Sequence, residues 1–548
     1  MTDDEATPGA WWRYGVLYQV YVPSFQDGDG DGFGDLHGLE SRLKYIAELG
    51  VSAIWLSPVY GSPLLDFGYD VSDYTSIGEV FGNLAVFDRV VAKAHALGLR
   101  VLLDYVPQHT SNEHPWFQDA LTGRDAAHRD WYLWHDPAGD GGPPNNWASA
   151  FSGPAWTFHE PTGQYYYHAH LPEQPSLNWR NPAVKQAMFD VLRFWLDRGV
   201  DGFRVDAVWR LIKDDQLRDN PEPSADDPIE IAGAGAHSTV RQVQKYTADQ
   251  PELPGLLHEM RTVVNAYPDR LLMGELHLRL ERVAALGSLP GLDIPMNFSL
   301  IDTPWNGDAV ADVIERYEAA LTPLSWPNWV LSNHDRSRLA TRIGPENTLA
   351  ALALLLTLRG TPTLYYGDEL GLPDSPVSVE RERDCAALRA PGQGLGRDPQ
   401  RMPMPWTTAA HVGFCDDDVE PWLPVPAWAA DLSVEQQGAD PRSTLNKVKG
   451  LLAIRNSERA LQHGTIRVHA HTATSITIIR ELESSATCLV VNFGTEPLLL
   501  ELPEQPWRQL WTSHRDSGVE LVASEARLYR SVQGEESSRA ITDPADVF

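Results

Sequence analysis

From about residue 15 to about residue 370, short apolar runs rich in β-branched residues alternate with longer stretches of helical period. The runs are Val16–Ser24, Ala53–Val59, Arg100–Val106, Gly202–Val208, Arg270–Leu276, Leu292–Phe298, Trp329–Asn333 and Thr361–Tyr366. Helical patterns cover Leu39–Leu49, Val86–Leu97 and Ala183–Asp197, the last opened by Asn181-Pro182, with proline at a position suited to a helix N-terminus. Strands that alternate with helices argue for a parallel sheet with crossover connections. Eight of them predict an α/β fold, a closed (β/α)8 barrel of the TIM type.

Two connections are too long for one helix. Residues 107–177 are dense in Trp, His, Tyr, Pro and Gly and predict a small domain inserted after strand 3. A second long connection, about 209–255, carries Asp219-Asn-Pro-Glu-Pro223 and Tyr246-Thr-Ala-Asp-Gln-Pro251. Both belong on the face that receives the C-terminal strand ends and would wall a pocket there. A Pro-, Gly- and Trp-rich stretch (about 371–440) and a helix around Ser443–Asn456 follow. The β-branched segments Ser475–Arg480 and Thr487–Phe493 then predict a C-terminal antiparallel β-sandwich. The expected division is a barrel over 1–106 and 178–455, an inserted domain over 107–177 and a terminal domain over 456–548.

Composition narrows the partners. The chain has 548 residues, 43% of them hydrophobic, and a net charge of −31, so it can bury a large core while repelling nucleic acid and anionic membranes. Neutral substrates and cations are the expected partners, with the chain a monomer or homodimer. Three cysteines, Cys385, Cys415 and Cys488, without C-x-x-C spacing imply neither a disulfide framework nor a thiolate metal site. The acidic start Met1–Glu5 lacks the features of a secretory signal. The longest apolar stretch, Leu349–Leu358, is shorter than the ~20 residues of a membrane span. A cytoplasmic location is expected.

Four strand ends carry acid–base chemistry: Asp104-Tyr-Val-Pro-Gln-His109, Gly202-Phe-Arg-Val-Asp206, Met273-Gly-Glu275 and Leu331-Ser-Asn-His-Asp335. A barrel delivers all such ends to one face. Arg204 and Asp206, two apart on a strand, project to the same side, and an adjacent Arg keeps a carboxylate ionised, as a nucleophile must be. Glu275 follows the apolar Leu271-Leu-Met-Gly274, and burial there would keep it protonated as a general acid. Such a pair of carboxyl groups is what glycoside hydrolysis uses. Asp335, behind His334, would hold sugar hydroxyls or stabilise an oxocarbenium-like transition state.

These motifs, in this order, together with Gly360-Thr-Pro-Thr-Leu-Tyr-Tyr-Gly-Asp-Glu369, resemble the α-amylase family of glycoside hydrolases over nearly the whole chain. Asp66-Phe-Gly-Tyr69-Asp70, Gln174-Pro-Ser-Leu-Asn178 and Arg397-Asp-Pro-Gln-Arg401, with Pro403-Met-Pro-Trp406, are similar to the bacterial α-glucosidases that act on short oligosaccharides. The resemblance implies Asp206 as nucleophile, Glu275 as acid/base and Asp335 as transition-state carboxylate. It assigns substrate binding to Asp66, Tyr69, Asp104, His109, Gln174, Arg204, His334, Arg397 and Arg401, with Asp66, Tyr69 and Arg397 closing the non-reducing end. The implied activity is a retaining exo-α-glucosidase that releases glucose through a covalent glucosyl-enzyme. Ala207 after the nucleophile implies preference for α-1,4 over α-1,6 bonds. Transfer to another alcohol competes with hydrolysis, so a glucosyltransferase or trehalose-forming isomerase is the alternative; a catalytically dead interaction protein would have lost triad carboxylates that are present here. Three departures bear on substrate preference: Gln108 where the family usually has Asn, His170 where Phe is common, and Ser176 for a usual Asp.

The loop Asp27-Gly-Asp-Gly-Asp-Gly-Phe-Gly-Asp35 sets carboxylates at alternate positions with glycines between, an arrangement that can surround a hard cation. Gly38 stands where an EF-hand needs Glu, so this is not an EF-hand; a solvated acidic turn is the other reading. The resemblance implies a structural Ca²⁺ or Mg²⁺ bound by Asp27, Asp29, Asp31, Asp35 and the backbone oxygen of Phe33, and no organic cofactor.

Overall fold

The computed structural model describes residues 10–223, 241–323, 325–514 and 518–532. The acidic start of the chain, residues 224–240 of the second long connection and the last residues of the terminal domain lie outside them. Eight parallel strands form one sheet: β1 (Leu17–Val20), β2 (Ala53–Leu56), β3 (Arg100–Tyr105), β4 (Gly202–Val205), β5 (Leu271–Gly274), β6 (Ile294–Pro295), β7 (Asn328–Val330) and β8 (Thr361–Tyr365). Hydrogen bonding runs in the order β7-β8-β1-β2-β3-β4-β5-β6. The last strand thus pairs with the first, Leu17 opposite Thr363, curling the sheet into the predicted barrel.

Most of these strands stop before their apolar runs do. After β1 the chain winds into a turn at Val22–Ser24, and after Asp206 the backbone of Ala207 turns to φ 43°. In this architecture the C-terminal ends leave the sheet to build one loop face. Asp104 lies within β3, while Asp206 and Glu275 are the residues that follow β4 and β5. At the opposite end of β4, Gly202 has φ 156°, and a Cβ there would overlap the Leu271 carbonyl oxygen of β5. Only glycine allows that approach.

The barrel interior is a packed cluster of Leu17, Ala53, Trp55, Leu102, Leu271, Met273, Ile294 and Val330. Its uppermost large side chain, Trp55, donates from Nε1 to Asp104 Oδ2 at 3.1 Å and lies 5.0 Å beneath the Arg204 guanidinium. The core therefore forms the floor of the site. Outside, the predicted helices are found at Leu36–Leu49, Leu84–Ala96 and Pro182–Asp197, capped by the side chains of Asp35, Asn83 and Asn181, each satisfying a backbone N–H left free by the first turn. The apolar stretch near residue 350 is the buried helix Thr348–Thr357; among the described residues no helix is long and apolar enough to cross a membrane.

Between β3 and β4 a three-stranded antiparallel sheet (Trp134–His135, Gln164–Tyr167, Trp156–His159) stands on the loop face. Trp147, Trp156 and Tyr167 are its buried centre, so much of this segment's aromatic density is core. The terminal domain is a five-stranded antiparallel sheet of Thr465–Thr472, Ser475–Leu482, Ser485–Asn492, Ala526–Ser531 and Trp507–Thr512, beside a small ladder of Leu498–Leu499 with Glu520–Leu521. Arg480 on its second strand donates to Thr357 O at 2.7 Å, tying it to the barrel helix.

Candidate active site

Arg204 is the hub of the loop face. Fully buried on β4, it donates from Nη1 to Asp104 Oδ1 and to Asp206 Oδ1, both at 2.7 Å, while Nη2 lies 3.0 Å from Glu275 Oε2. One guanidinium thus gathers three carboxyl groups from β3, β4 and β5. Planar, delocalised and always charged, arginine suits such a buried hub better than lysine does. Glu275 also accepts from the Ala207 N–H at 2.7 Å, and His277 Nε2 lies 3.2 Å from its Oε1. The left-handed turn at Ala207, costly for a non-glycine residue, is what aims that N–H at Glu275.

Charge distribution within the cluster corrects one expectation. Burial pushes Glu275 up, but Arg204 and His277 outweigh it and hold the carboxyl down to about 2. Asp206 is driven well above the usual carboxylate range by burial, against the pull of Arg204 and with Glu275 repelling it. Burial also lifts Asp104, to about 6, against Arg204. The apolar flank of Glu275 suggested the opposite order. What it did not reveal is that Arg204 reaches both groups and that Glu275 collects two further donors. The two carboxyls form one coupled pair, in which Arg204 and His277 draw Glu275 toward ionisation while burial resists ionisation at Asp206.

A second cluster faces the first. Arg397 donates from Nη2 to Asp66 Oδ1 at 2.6 Å and from Nη1 to Asp335 Oδ1 at 3.1 Å. Arg401 Nη2 donates to the same Asp335 oxygen at 3.1 Å. Behind both arginines, buried Asp384 Oδ2 accepts from Arg397 Nε at 2.7 Å and Arg401 Nη1 at 3.2 Å. Gln174 donates to Asp66 Oδ2 at 3.0 Å. Tyr69 donates to Asp104 Oδ2 at 2.9 Å, and its ring stacks on His334 at 5.2 Å and 4°. His334 is pushed down to about 3 by burial, hence neutral. Gln19 Nε2 donates to its Nδ1 at 2.7 Å, which leaves the proton on Nε2, 3.4 Å from Asp335 Oδ2.

His109, pushed down to about 4 by burial, donates from Nε2 to Tyr69 O at 2.8 Å. Its Nδ1 is 2.7 Å from the Gln108 amide, whose other end meets Ser176 Oγ at 2.7 Å. The Gln108 amide bridges the two, with its Oε1 beside His109 Nδ1 and its Nε2 donating to Ser176 Oγ. The departures at 108 and 176 are one compensated change: a longer amide reaches a shorter hydroxyl and still fixes the His109 ring.

All twelve expected catalytic and substrate-binding residues are joined through these two clusters. Sequence reasoning missed Asp384, Trp55, Gln19 and His277. His277 carried a signal, since it stands two residues beyond Glu275; Asp384 lies in an irregular stretch with none. In the acidic loop, carboxylate oxygens of Asp27, Asp29 and Asp35 converge within 4.8 Å of one another. Asp31 is not in that group; its Oδ1 accepts from the Phe33 N–H at 2.8 Å. Asp35 also caps the following helix through Gly38 N at 2.6 Å.

Comparison with known proteins gives the same picture. The profile for "Alpha amylase, catalytic domain" matches residues 19–464. "Maltase 1" of Drosophila virilis is 39% identical over 504 residues, 88% of this chain and 78% of that protein. A "Probable alpha-glucosidase" of Rhizobium meliloti is 37% identical over 504 residues, 90% and 91% of the two chains. The solved structure of an "alpha-glucosyl transfer enzyme, XgtA" superposes with TM-score 0.90 at 38% identity, covering 95% of this chain and 100% of the other. With a parallel eight-stranded barrel, a carboxylate cluster at its C-terminal ends and a catalytic-domain match over most of its length, this chain belongs to the α-amylase family of glycoside hydrolases.

Proposed function

We propose that the protein is a retaining exo-α-glucosidase that removes glucose from the non-reducing end of short α-glucosides, with α-1,4 bonds preferred. One observation carries the reading: Arg204 holds Asp206 and Glu275 on one side of a site whose other side is the Asp66–Arg397–Asp335–Arg401 clamp. Asp206 attacks C1 as the bond from C1 to the glycosidic oxygen breaks, and Glu275 gives its proton to that oxygen. Water then attacks C1 of the glucosyl-enzyme, Glu275 takes a proton back, and Asp206 leaves. The reaction needs Asp206 ionised and Glu275 protonated once the pyranose ring is bound, the two titrating as a coupled pair. Asp335 faces the developing positive charge, and the neutral His109 and His334 serve sugar hydroxyls as hydrogen-bond partners rather than as cations.

Retention is directly observable. Proton NMR of fresh p-nitrophenyl α-glucoside digests should show α-glucose before mutarotation; β-glucose appearing first would reject the double-displacement scheme. A maltose digest weighs the transferase alternative, favoured by the similarity to a glucosyl-transfer enzyme. Glucose as main product supports hydrolysis, and a new disaccharide as main product supports transfer.

Asp27, Asp29 and Asp35 offer a hard, all-oxygen donor set suited to Ca²⁺ or Mg²⁺, and the reading adds Asp31 and the Phe33 carbonyl. Positive φ at Gly30 and Gly32, 85° and 87°, lets the loop fold back on itself. A bound ion would offset repulsion among carboxylates otherwise held by backbone N–H groups alone. Its role is stability, because the loop follows β1 and supplies none of the reacting groups. EDTA should therefore lower Tm by several degrees, with recovery on adding Ca²⁺ or Mg²⁺; an unchanged Tm excludes a structural ion here. Three unpaired cysteines suit a reducing compartment, and the reading places the protein in the cytoplasm.

A further inference from the structure

The connection after β4 brings two cations beside the catalytic carboxyls, and the steps above use neither. Arg210 and Lys213 are 7% and 3% exposed. Among the described residues, Lys213 Nζ and Arg210 Nε have no hydrogen-bond partner, and no carboxylate lies within ion-pair distance of either. Arg210 Nη1 reaches the Ala169 carbonyl only at 3.5 Å, and Lys213 Nζ lies 5.2 Å above the Tyr167 ring. His170, with its buried Nδ1 also unpartnered, joins them through the same stretch of the inserted domain.

Position fixes what this group can touch. Trp209, the neighbour of Arg210, packs edge-on against His277 at 4.9 Å, and His277 contacts Glu275. The His170 ring lies 5.1 Å from His109 and 5.9 Å from Phe151, and Phe151 underlies Arg397 at 4.9 Å. Arg210 thus lies on the Glu275 side of the site, from which the aglycone departs and the acceptor arrives, with Lys213 as its charged neighbour. Arg210 feels Glu275 and Asp206 at longer range, whereas burying a cation such as Lys213 without a counter-charge is costly, and unsatisfied buried groups in a native fold call for a cause. Burial pulls Lys213 well below the usual lysine range, and its charged neighbours, Arg210 and Arg180, are cations that lower it further. An anion entering between Arg210 and Lys213 would satisfy both.

We infer that Arg210 and Lys213 recognise a negatively charged group, a carboxylate or a phosphate, on the aglycone that Glu275 protonates or on the acceptor that replaces it. The inference rests on the α-glucosidase reading and narrows its substrate class to glucosides with an anionic partner.

Two matched pairs test it with the full-length protein: glucosylglycerol against glucosylglycerate for a carboxylate, and trehalose against trehalose 6-phosphate for a phosphate. At least one anionic member should exceed its neutral partner in kcat/KM by about tenfold, the scale of a single charge-assisted hydrogen bond. The preferred pair identifies the anion. Lys213→Met, which exchanges a buried ammonium for an apolar chain of similar length, should remove most of that preference. If that variant does not fold, free glycerate and inorganic phosphate should inhibit maltose hydrolysis by the unaltered protein, one more strongly than sodium chloride at equal ionic strength. Equal or lower kcat/KM for both anionic members overturns the inference, as does a preference unchanged in Lys213→Met or equal inhibition by all three salts. Maltose runs alongside: its cleavage without anionic preference rejects this inference alone, whereas cleavage of no glucoside in the panel rejects the α-glucosidase reading itself.

Discussion

Asp206→Ala should lower kcat on p-nitrophenyl α-glucoside by about 10⁴-fold or more, the scale on which losing a nucleophile acts. The fold should survive. Asp206 is buried and its pKa is raised well above the carboxylate norm, so its ionised form weakens the native state at neutral pH. A group with a raised folded pKa favours folding only below its unfolded pKa, and that favour is lost as pH rises. Deleting it leaves Arg204 still paired with Asp104 and Glu275, and Tm at pH 7 should hold or rise. Activity within tenfold of the parent would reject Asp206 as nucleophile. Azide supplies a positive control, since a small anion in the vacated space can attack C1 and yield β-glucosyl azide.

Arg204→Met should be the most damaging single change to stability. It keeps much of the side-chain volume and removes the charge that three buried carboxyl groups share. Removing one partner of a buried ion cluster typically costs about 3–5 kcal/mol, because uncompensated charge remains behind. Asp104 and Asp206 already lie above the usual range with Arg204 present. Without it, Asp104 and Asp206 would be raised further above their unfolded values, and Glu275 would lose the largest pull that holds it down. Stability from groups raised in this way is present at low pH and lost as pH rises. Urea titrations should therefore show a larger deficit at pH 8 than at pH 5. A deficit independent of pH, or none, would mean that Arg204 does not carry the cluster's charge balance.

Much of the candidate site could be read in the chain because strand periodicity and site chemistry meet at the same places. Each apolar run ends near a carboxylate, and a parallel barrel admits only one face for such ends. Arg204 and Asp206 pointing together followed from a period of two. Asp384 could not be found this way: it lies in an irregular stretch near residue 384, far in sequence from Asp335, and meets Arg397 and Arg401 only because that stretch folds back over the barrel mouth. The strand ends were over-extended for a related reason. Residues such as Val22, Ala207 and Val208 are apolar and buried yet belong to turns, where burial comes from loops and the inserted domain rather than from ladder partners.

By itself the chain determined the barrel, the inserted and terminal domains in outline, the four motif ends and the acidic loop, since each is written in local pattern or short-range spacing. Tertiary structure alone decided how the charge environments of the carboxyl groups differ. The protonation of Asp206 and Glu275 depends on how many donors reach each oxygen, and those donors (Arg204 Nη2, the Ala207 N–H and the His277 ring) are set by the barrel's curvature and one left-handed residue. Electrostatic energy falls off with distance through a low dielectric, so ångström differences among groups from three strands outweigh any flanking sequence. The same reason hides Arg210 and Lys213 from sequence: that Lys213 Nζ has no hydrogen-bond partner among the described residues is visible only in the tertiary structure.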